Sequence, residues 1–188
     1  MSPGLPGNYL GITWELPITF LYTQDAQKTG FIFGKSYTQP RYSQSYGRQI
    51  KYSGIQHETH EIENGSMLET CCKIVNMVSG IDVDYDAALV NWYTPKHSVG
   101  KHADNEKQLR ADCPIFSFSW GDMRRFLIYA MAGGPCIKTY KLTHGDLLIM
   151  GGNLQKTHKH AIERVKKRDE DEIEKAKRIN YTIRAIID

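Results

Sequence analysis

Nothing in this chain approaches the ~20 consecutive apolar residues that a membrane-crossing helix needs. Its apolar runs, such as Leu147–Met150 and Ala185–Ile187, fall far short of that length, so no membrane partner is expected. Cysteines are few, four in 188 residues, and none sits in a C-x-x-C pair. That excludes a zinc ribbon or a disulfide framework and leaves Cys71, Cys72, Cys113 and Cys136 as expected buried thiols in a reducing compartment. The basic start and apolar stretch of a secretory signal are missing from Met1–Leu10, and neither end carries a lipidation motif. An intracellular location is expected: the nucleus for a cellular eukaryotic source, otherwise the cytoplasm. Charge of one sign is lacking too, since 24 Lys and Arg against 21 Asp and Glu leave only +3. What is present is ordinary globular composition, 40% hydrophobic and 24% charged, in a length that suits one domain, residues 1–188, and a monomer.

Within residues 1–57 the basic side chains Lys28, Lys35, Arg41, Arg48 and Lys51 outnumber the acids Glu15 and Asp25. Such a face could meet phosphates, and a plain solvated surface accounts for it equally well. Residues 1–30 are punctuated by Gly and Pro and carry little periodicity. From Phe31 to Ile55 the chain is aromatic, polar and basic together, with Gly34, Pro40, Gly47 and Gly54 breaking it into short strands and loops.

The clearest helix runs from Ser66 to Ser79. Met67, Cys71, Ile74, Val75 and Val78 recur at helical spacing, Ser66-x-x-Glu69 forms a capping box, and Gly80 provides the stop. Short β-type runs follow at Ala87–Tyr93, Ile115–Trp120, Arg125–Ala130, Cys136–Leu142, Asp146–Met150 and Asn180–Ile187. Many short strands after one helix indicate a mainly β fold (α+β), an antiparallel sandwich or jelly roll with a flanking helix, over a doubly wound sheet. Glu163–Arg178 interrupts the rhythm with seven basic and six acidic residues in sixteen, and reads as a solvated loop or short helix.

Two constellations could carry chemistry. His102-x-Asp104 places an imidazole and a carboxylate on one side of an extended chain, where both can reach one metal ion. A third ligand must come from elsewhere, and either His158 or His160 could complete a set of two His and one carboxylate with open positions, as in non-haem Fe(II) oxygenases. Arg178-x-Asn180-x-Thr182-x-Arg184 alternates strictly, so one strand directs four polar side chains to one face while Ile179, Tyr181 and Ile183 pack on the other. Buried guanidiniums call for anions, and a dicarboxylate such as 2-oxoglutarate suits them. His57-Glu58-Thr59-His60 is one residue short of the zinc-protease H-E-x-x-H spacing and is set aside.

Taken together, His102-x-Asp104, a distal His160 and Arg178-x-Asn180-x-Thr182-x-Arg184 resemble the AlkB family of Fe(II)/2-oxoglutarate-dependent dioxygenases, and Asn91-x-Tyr93 matches its pattern as well. The likeness covers roughly Phe31 to Ile187. It implies a double-stranded β-helix with an N-terminal nucleotide-recognition lid at 31–57, and His160 as the third ligand because His160-Ala161-Ile162 fits the family's pattern. It further implies Fe(II) as the metal, 2-oxoglutarate and O2 as cosubstrates, and Asn91, Tyr93, Arg178, Asn180, Thr182 and Arg184 as the cosubstrate-holding residues.

Phe33-Gly34-Lys35, Pro40-Arg41, Tyr46-Gly47 and Tyr52-Ser53-Gly54 resemble the duplex-DNA repair branch, AlkB homologue two. That likeness implies nucleic acid as partner and Phe33, Gly34, Lys35, Arg41, Tyr52, Asn105 and Glu106 as substrate-binding residues. Phe33 would be the finger that fills the stack, Tyr52 and His102 would sandwich the base, and Glu106 would accept from it. The activity implied is oxidative removal of methyl groups from 1-methyladenine and 3-methylcytosine in DNA, releasing formaldehyde, succinate and CO2. An RNA demethylase, a protein-hydroxylating dioxygenase and a silent nucleic-acid-binding module are the competing expectations. Two departures stand out: Ile50 replaces a pocket Tyr, and Asn105 replaces an acid. Met150-Gly151-Gly152-x-x-Gln155 to His160 looks more like plant-virus members of the family.

Overall fold

The computed structural model describes residues 28–32, 35–52, 55–56, 58–165 and 177–187. The helix forms where its signals place it, as α1 (Met67–Val78), with the Ser66 hydroxyl accepting from the Glu69 amide at 3.1 Å. Glu69 reaches back to the Gly65 amide, at 2.8 Å, one residue beyond the N-cap. Gly80 takes the left-handed φ of 66° that lets the chain turn away. The buried face is Leu68, Cys71, Cys72 and Val75, an i, i+3, i+4, i+7 set. Ile74 and Val78, expected on that face, lie outside it at 38% and 55% exposure, because the adjacent thiols at 71 and 72 occupy the centre of the contact.

In chain order the strands are β1 (Thr29–Ile32), β2 (Lys35–Thr38), β3 (Tyr42–Gly47), β4 (Lys51–Tyr52), β5 (Ile55–Gln56), β6 (Thr59–His60), β7 (Ala87–Tyr93), β8 (Val99–His102), β9 (Ile115–Gly121), β10 (Arg124–Ala130), β11 (Cys136–Leu142), β12 (Leu147–Met150), β13 (His158–Ile162) and β14 (Arg178–Arg184), with a single helical turn α2 (Leu154–Thr157) before β13. A larger sheet runs β12-β9-β14-β7-β3-β6 and a smaller one β11-β10-β13-β8; apart from β3 with β6, the pairs within them are antiparallel. This is the β-dominant jelly roll with a flanking helix that the strand pattern indicated. β8 and β13 were not anticipated, because their segments VGKH and HKHAI spend inward positions on polar side chains and so lose the apolar alternation.

Two clusters hold the layers together. Between the sheets lie Leu89, Tyr93, Ile115, Phe126, Ile128, Met150 and Ile162, among others. Between the larger sheet and α1 lie Leu68, Cys71 and Val75 against Ala88, Val90, Phe116, Phe118, Tyr181 and Ile183. Strand β7 feeds both layers by period-2 alternation, Ala87, Leu89 and Tyr93 to one and Ala88, Val90 and Trp92 to the other, which is why it is buried at every position. Each such side chain contributes roughly 1.5–3 kcal/mol relative to exposure.

Cys71 and Cys72 are buried as expected, but Cys113 is half-buried and Cys136 exposed. Cys136 opens β11, which among the described strands is an edge strand beside β10. Residues 166–176 of the charged segment lie outside the described part, and Arg178, its last residue, begins β14 as the alternating motif required and is 2% exposed. The lid expected at 31–57 is described in part: β3 joins the larger sheet, β1 pairs β2, and β4 pairs β5.

Candidate metal centre

Strand register assembles the first two ligands. β8 and β13 pair with His102 opposite His160, so both imidazoles project from one face with ring centroids 4.2 Å apart. Asp104 follows two residues beyond His102, its Oδ1 3.5 Å from His102 Nε2. One ligand atom from each of His102, Asp104 and His160 lies within 4.8 Å of the others. His158 is not part of this cluster; its Nδ1 is 2.8 Å from Thr157 Oγ1 at the end of α2.

Each ligand is held from behind. Arg184 donates to Asp104 Oδ2 at 2.6 Å, a pair only 4–5% exposed. The Asp104 amide donates to Gln155 Oε1 at 2.9 Å. His102 Nδ1 is 2.8 Å from the Gly100 carbonyl, which leaves Nε2 facing the cluster. Phe126 stacks on His160 at 5.1 Å and 17°. Burial pushes the Asp104 carboxyl up, but Arg184 and the two imidazoles outweigh it and hold the group ionised, well below the usual carboxylate range. Burial pushes His160 down to about 4, with Asp104 opposing. At neutral pH the cluster is therefore one carboxylate and at least one imidazole with its lone pair available to a cation.

The same cavity, about 60 Å³, extends from these ligands to β14 and β7. Arg178, Asn180, Thr182 and Arg184 all line it, as do Asn91 and Tyr93. Register explains the grouping, since Arg178 stands opposite Tyr93 and Asn180 opposite Asn91. Asn180 donates to Ser117 Oγ and to the Phe118 carbonyl, both at 2.8 Å, while its own Oδ1 accepts from Thr182 at 2.8 Å. Arg178 gives Nη2 to Ser119 at 2.9 Å, but its Nε and Nη1 are buried with no hydrogen-bond partner among the described residues. Behind Tyr93, 5.9 Å from its ring, Arg124 is itself buried and donates to the Thr94, His97 and Glu163 carbonyls.

The expected substrate residues divide. Glu106 lines the cavity, with Oε2 buried and without a partner among the described residues and its carboxyl raised by burial and by Asp104. Arg41, expected to meet phosphate, lines the cavity too and gives Nε to Asn91 Oδ1 at 2.7 Å, because it sits immediately before β3, whose neighbour is β7. Asn105 is exposed and borders an adjoining cavity of about 210 Å³. Phe33 and Gly34 lie outside the described residues, and so do the side chains of Lys35 and Tyr52. Sequence reasoning passed over Ser117 and Ser119, although they alternate with Phe116, Phe118 and Trp120 just as the β14 polar residues do. It also passed over Arg124, Phe126 and Gln155 as supports, for which spacing offers no signal.

The donor set suits an octahedral divalent ion with open positions: two imidazole nitrogens and one carboxylate oxygen converging from one side. The Arg178 nitrogens with no partner among the described residues, in the lining of the same cavity, suit a carboxylate.

Residues 23–184 match the model of the 2OG-Fe(II) oxygenase superfamily. The chain is 31% identical over 121 residues to an RNA-directed RNA polymerase of Lolium latent virus, 32% over 85 residues to the DNA N(6)-methyladenine demethylase ALKBH1C of Arabidopsis thaliana, and 31% over 83 residues to an RNA replication protein of Grapevine virus A. These stretches are 64%, 44% and 44% of this chain but only 6%, 18% and 5% of those proteins. A solved structure of OsALKBH1 shares the fold, with a TM-score of 0.55 and 22% identity over 84% of this chain and 82% of that one. The resemblance to homologue two is thus not singled out by these relatives, one of which is an AlkB homologue one protein. The chain belongs to the 2OG-Fe(II) oxygenase superfamily.

Proposed function

We propose that this protein is an AlkB-type dioxygenase that removes N-methyl groups from nucleic-acid bases such as 1-methyladenine and 3-methylcytosine in DNA. The observation that carries the reading is one cavity holding both the His102, Asp104 and His160 cluster and the unpartnered guanidinium nitrogens of Arg178. When bound there, iron and 2-oxoglutarate supply oxidation of an N-methyl carbon by O2, coupled to decarboxylation of 2-oxoglutarate to succinate and CO2, with formaldehyde as the carbon product.

The chain's own residues do the rest. His102, Asp104 and His160 hold the metal. Arg184 keeps the Asp104 carboxylate ionised and fixed in direction. Arg178, with the Tyr93 ring 5.2 Å away, receives the distal carboxylate of 2-oxoglutarate, and Asn91, Asn180 and Thr182 complete a hydrogen-bonded wall around it. Glu106 Oε2 offers an acceptor to a base entering beside the metal, and a cationic methylated ring would be drawn to it. Phe33 would fill the gap in the duplex stack, with Lys35 nearby in sequence for the backbone and Tyr52 for the base face, while Arg41 holds Asn91 in the cavity wall. RNA is the second reading, favoured by similarity to two viral RNA replication proteins.

The test is mass spectrometry of 1-methyladenine and 3-methylcytosine oligonucleotides, DNA and RNA, single- and double-stranded, after incubation with Fe(II) and 2-oxoglutarate. Demethylation with stoichiometric formaldehyde and succinate, abolished by His102→Ala, is expected. No turnover on any strand by wild type would end the reading. Phe33→Ala should lose more on duplex than on single strands, and equal losses would remove the finger role.

A further inference from the structure

Asp104 lies two residues beyond the end of β8, where the ladder can no longer satisfy its amide, yet the residue is 6% exposed. A buried N–H at that depth needs a partner. It finds one in a side chain fifty-one positions away: Gln155 Oε1 accepts from the Asp104 amide at 2.9 Å. Gln155 stands on α2, the turn that runs directly into β13 and so carries His160. Its amide nitrogen is turned the other way, 3.7 Å from Met150 Sδ at the end of β12, which fixes the oxygen toward Asp104. The side chain therefore ties the turn bearing one metal ligand to the segment bearing another, alongside the His102–His160 strand pair.

We propose that Gln155 is a positioning residue for the metal centre: by clamping the Asp104 backbone to the segment of His160, it fixes where the Asp104 carboxylate points relative to the two imidazoles, and so sets metal affinity. Arg184 restrains the same carboxylate from its Oδ2 side, but it acts from β14 in the other sheet and cannot fix the backbone segment itself. With the Asp104 amide released, the segment at 103–105 is free to rotate and the ligand atoms lose their mutual spacing.

The inference rests on the metal-binding reading above, and its test keeps the two apart. Mn(II) alone is titrated into wild type, Gln155→Met, Gln155→Asn and Gln155→Glu, and binding is read by electron paramagnetic resonance, with the thermal midpoint of each metal-free protein measured in parallel. Gln155→Met removes the acceptor at similar shape, and Gln155→Asn withdraws it by one carbon. Both should weaken Mn(II) binding about tenfold or more, the scale expected for a group that orients a ligand. Gln155→Glu retains the acceptor and should stay within about fivefold of wild type. Should Gln155→Met not fold, Gln155→Asn carries the comparison. Wild-type affinity in Gln155→Met or Gln155→Asn overturns the clamp, and so does a loss in Gln155→Glu equal to theirs. A wild-type protein that binds no Mn(II) overturns the metal reading instead.

Discussion

A guanidinium that is 2% exposed with two of its three nitrogens unpartnered, as Arg178 is, strains the folded state until an anion joins it. Arg178→Met should therefore leave the metal-free protein as stable as wild type or more so, while abolishing stabilisation by 2-oxoglutarate. Thermal melts with and without the dicarboxylate check both halves. Wild type should gain ~2.7 kcal/mol at a hundredfold excess over Kd, and the variant almost nothing. Arg178→Lys should behave more like Met than like Arg, since a point charge cannot make the paired contact. Arg184 is the contrary case, because its partner Asp104 is already in place at 2.6 Å. Arg184→Met strands a buried carboxylate and should cost about 3–5 kcal/mol in urea unfolding, whereas adding Asp104→Asn should recover part of that loss. A double variant that loses the full sum of the two singles would contradict this coupling.

Among elements, the end of β9 bears most directly on the cavity. Gly121 has φ +86°, and a Cβ there would sit 2.3 Å from the Lys177 carbonyl, next to Arg178. The backbone strain alone is worth about 1–3 kcal/mol, and the clash falls on the residue preceding Arg178, whose guanidinium lines the cavity. Gly121→Ala should lower the urea midpoint and raise the KM for 2-oxoglutarate together; a lower midpoint with unchanged KM would place the damage elsewhere. β7, β9, β11 and β14 could be read from the sequence because their alternation or β-type runs are intact, and β14 declared its polar face outright. β8 and β13 could not, since the positions that should have been apolar are His102, His158 and His160. The site was most legible where polar residues repeat every second position and least where a single side chain reaches across, as with Gln155 and Arg124. The face of α1 was misjudged at Ile74 and Val78 because periodicity alone leaves the stripe's centre undefined by about one residue in the turn.

At the scale of the molecule, the candidate centre divides between the sheets. His102 and His160 belong to the smaller sheet, while Arg178, Asn180, Asn91 and Tyr93 belong to the larger. Metal alone should therefore stiffen the smaller sheet, and 2-oxoglutarate should lock the two together. Hydrogen exchange in mild urea would show it: added protection in β8 and β13 with Mn(II), extending to β7 and β14 only when 2-oxoglutarate is added. Protection confined to one sheet in both conditions would argue against a cosubstrate spanning the gap.

β14 lies at the middle of this arrangement with a period of two. Were it to dock one step out of phase with β7 and β9, Ile179, Tyr181 and Ile183 would plug the hollow, and two cations would be driven beneath α1 among thiols and aromatic rings. That mispairing is so unfavourable that the buried charges lining the cavity also act as a proofreader, rejecting the misaligned chain as it folds.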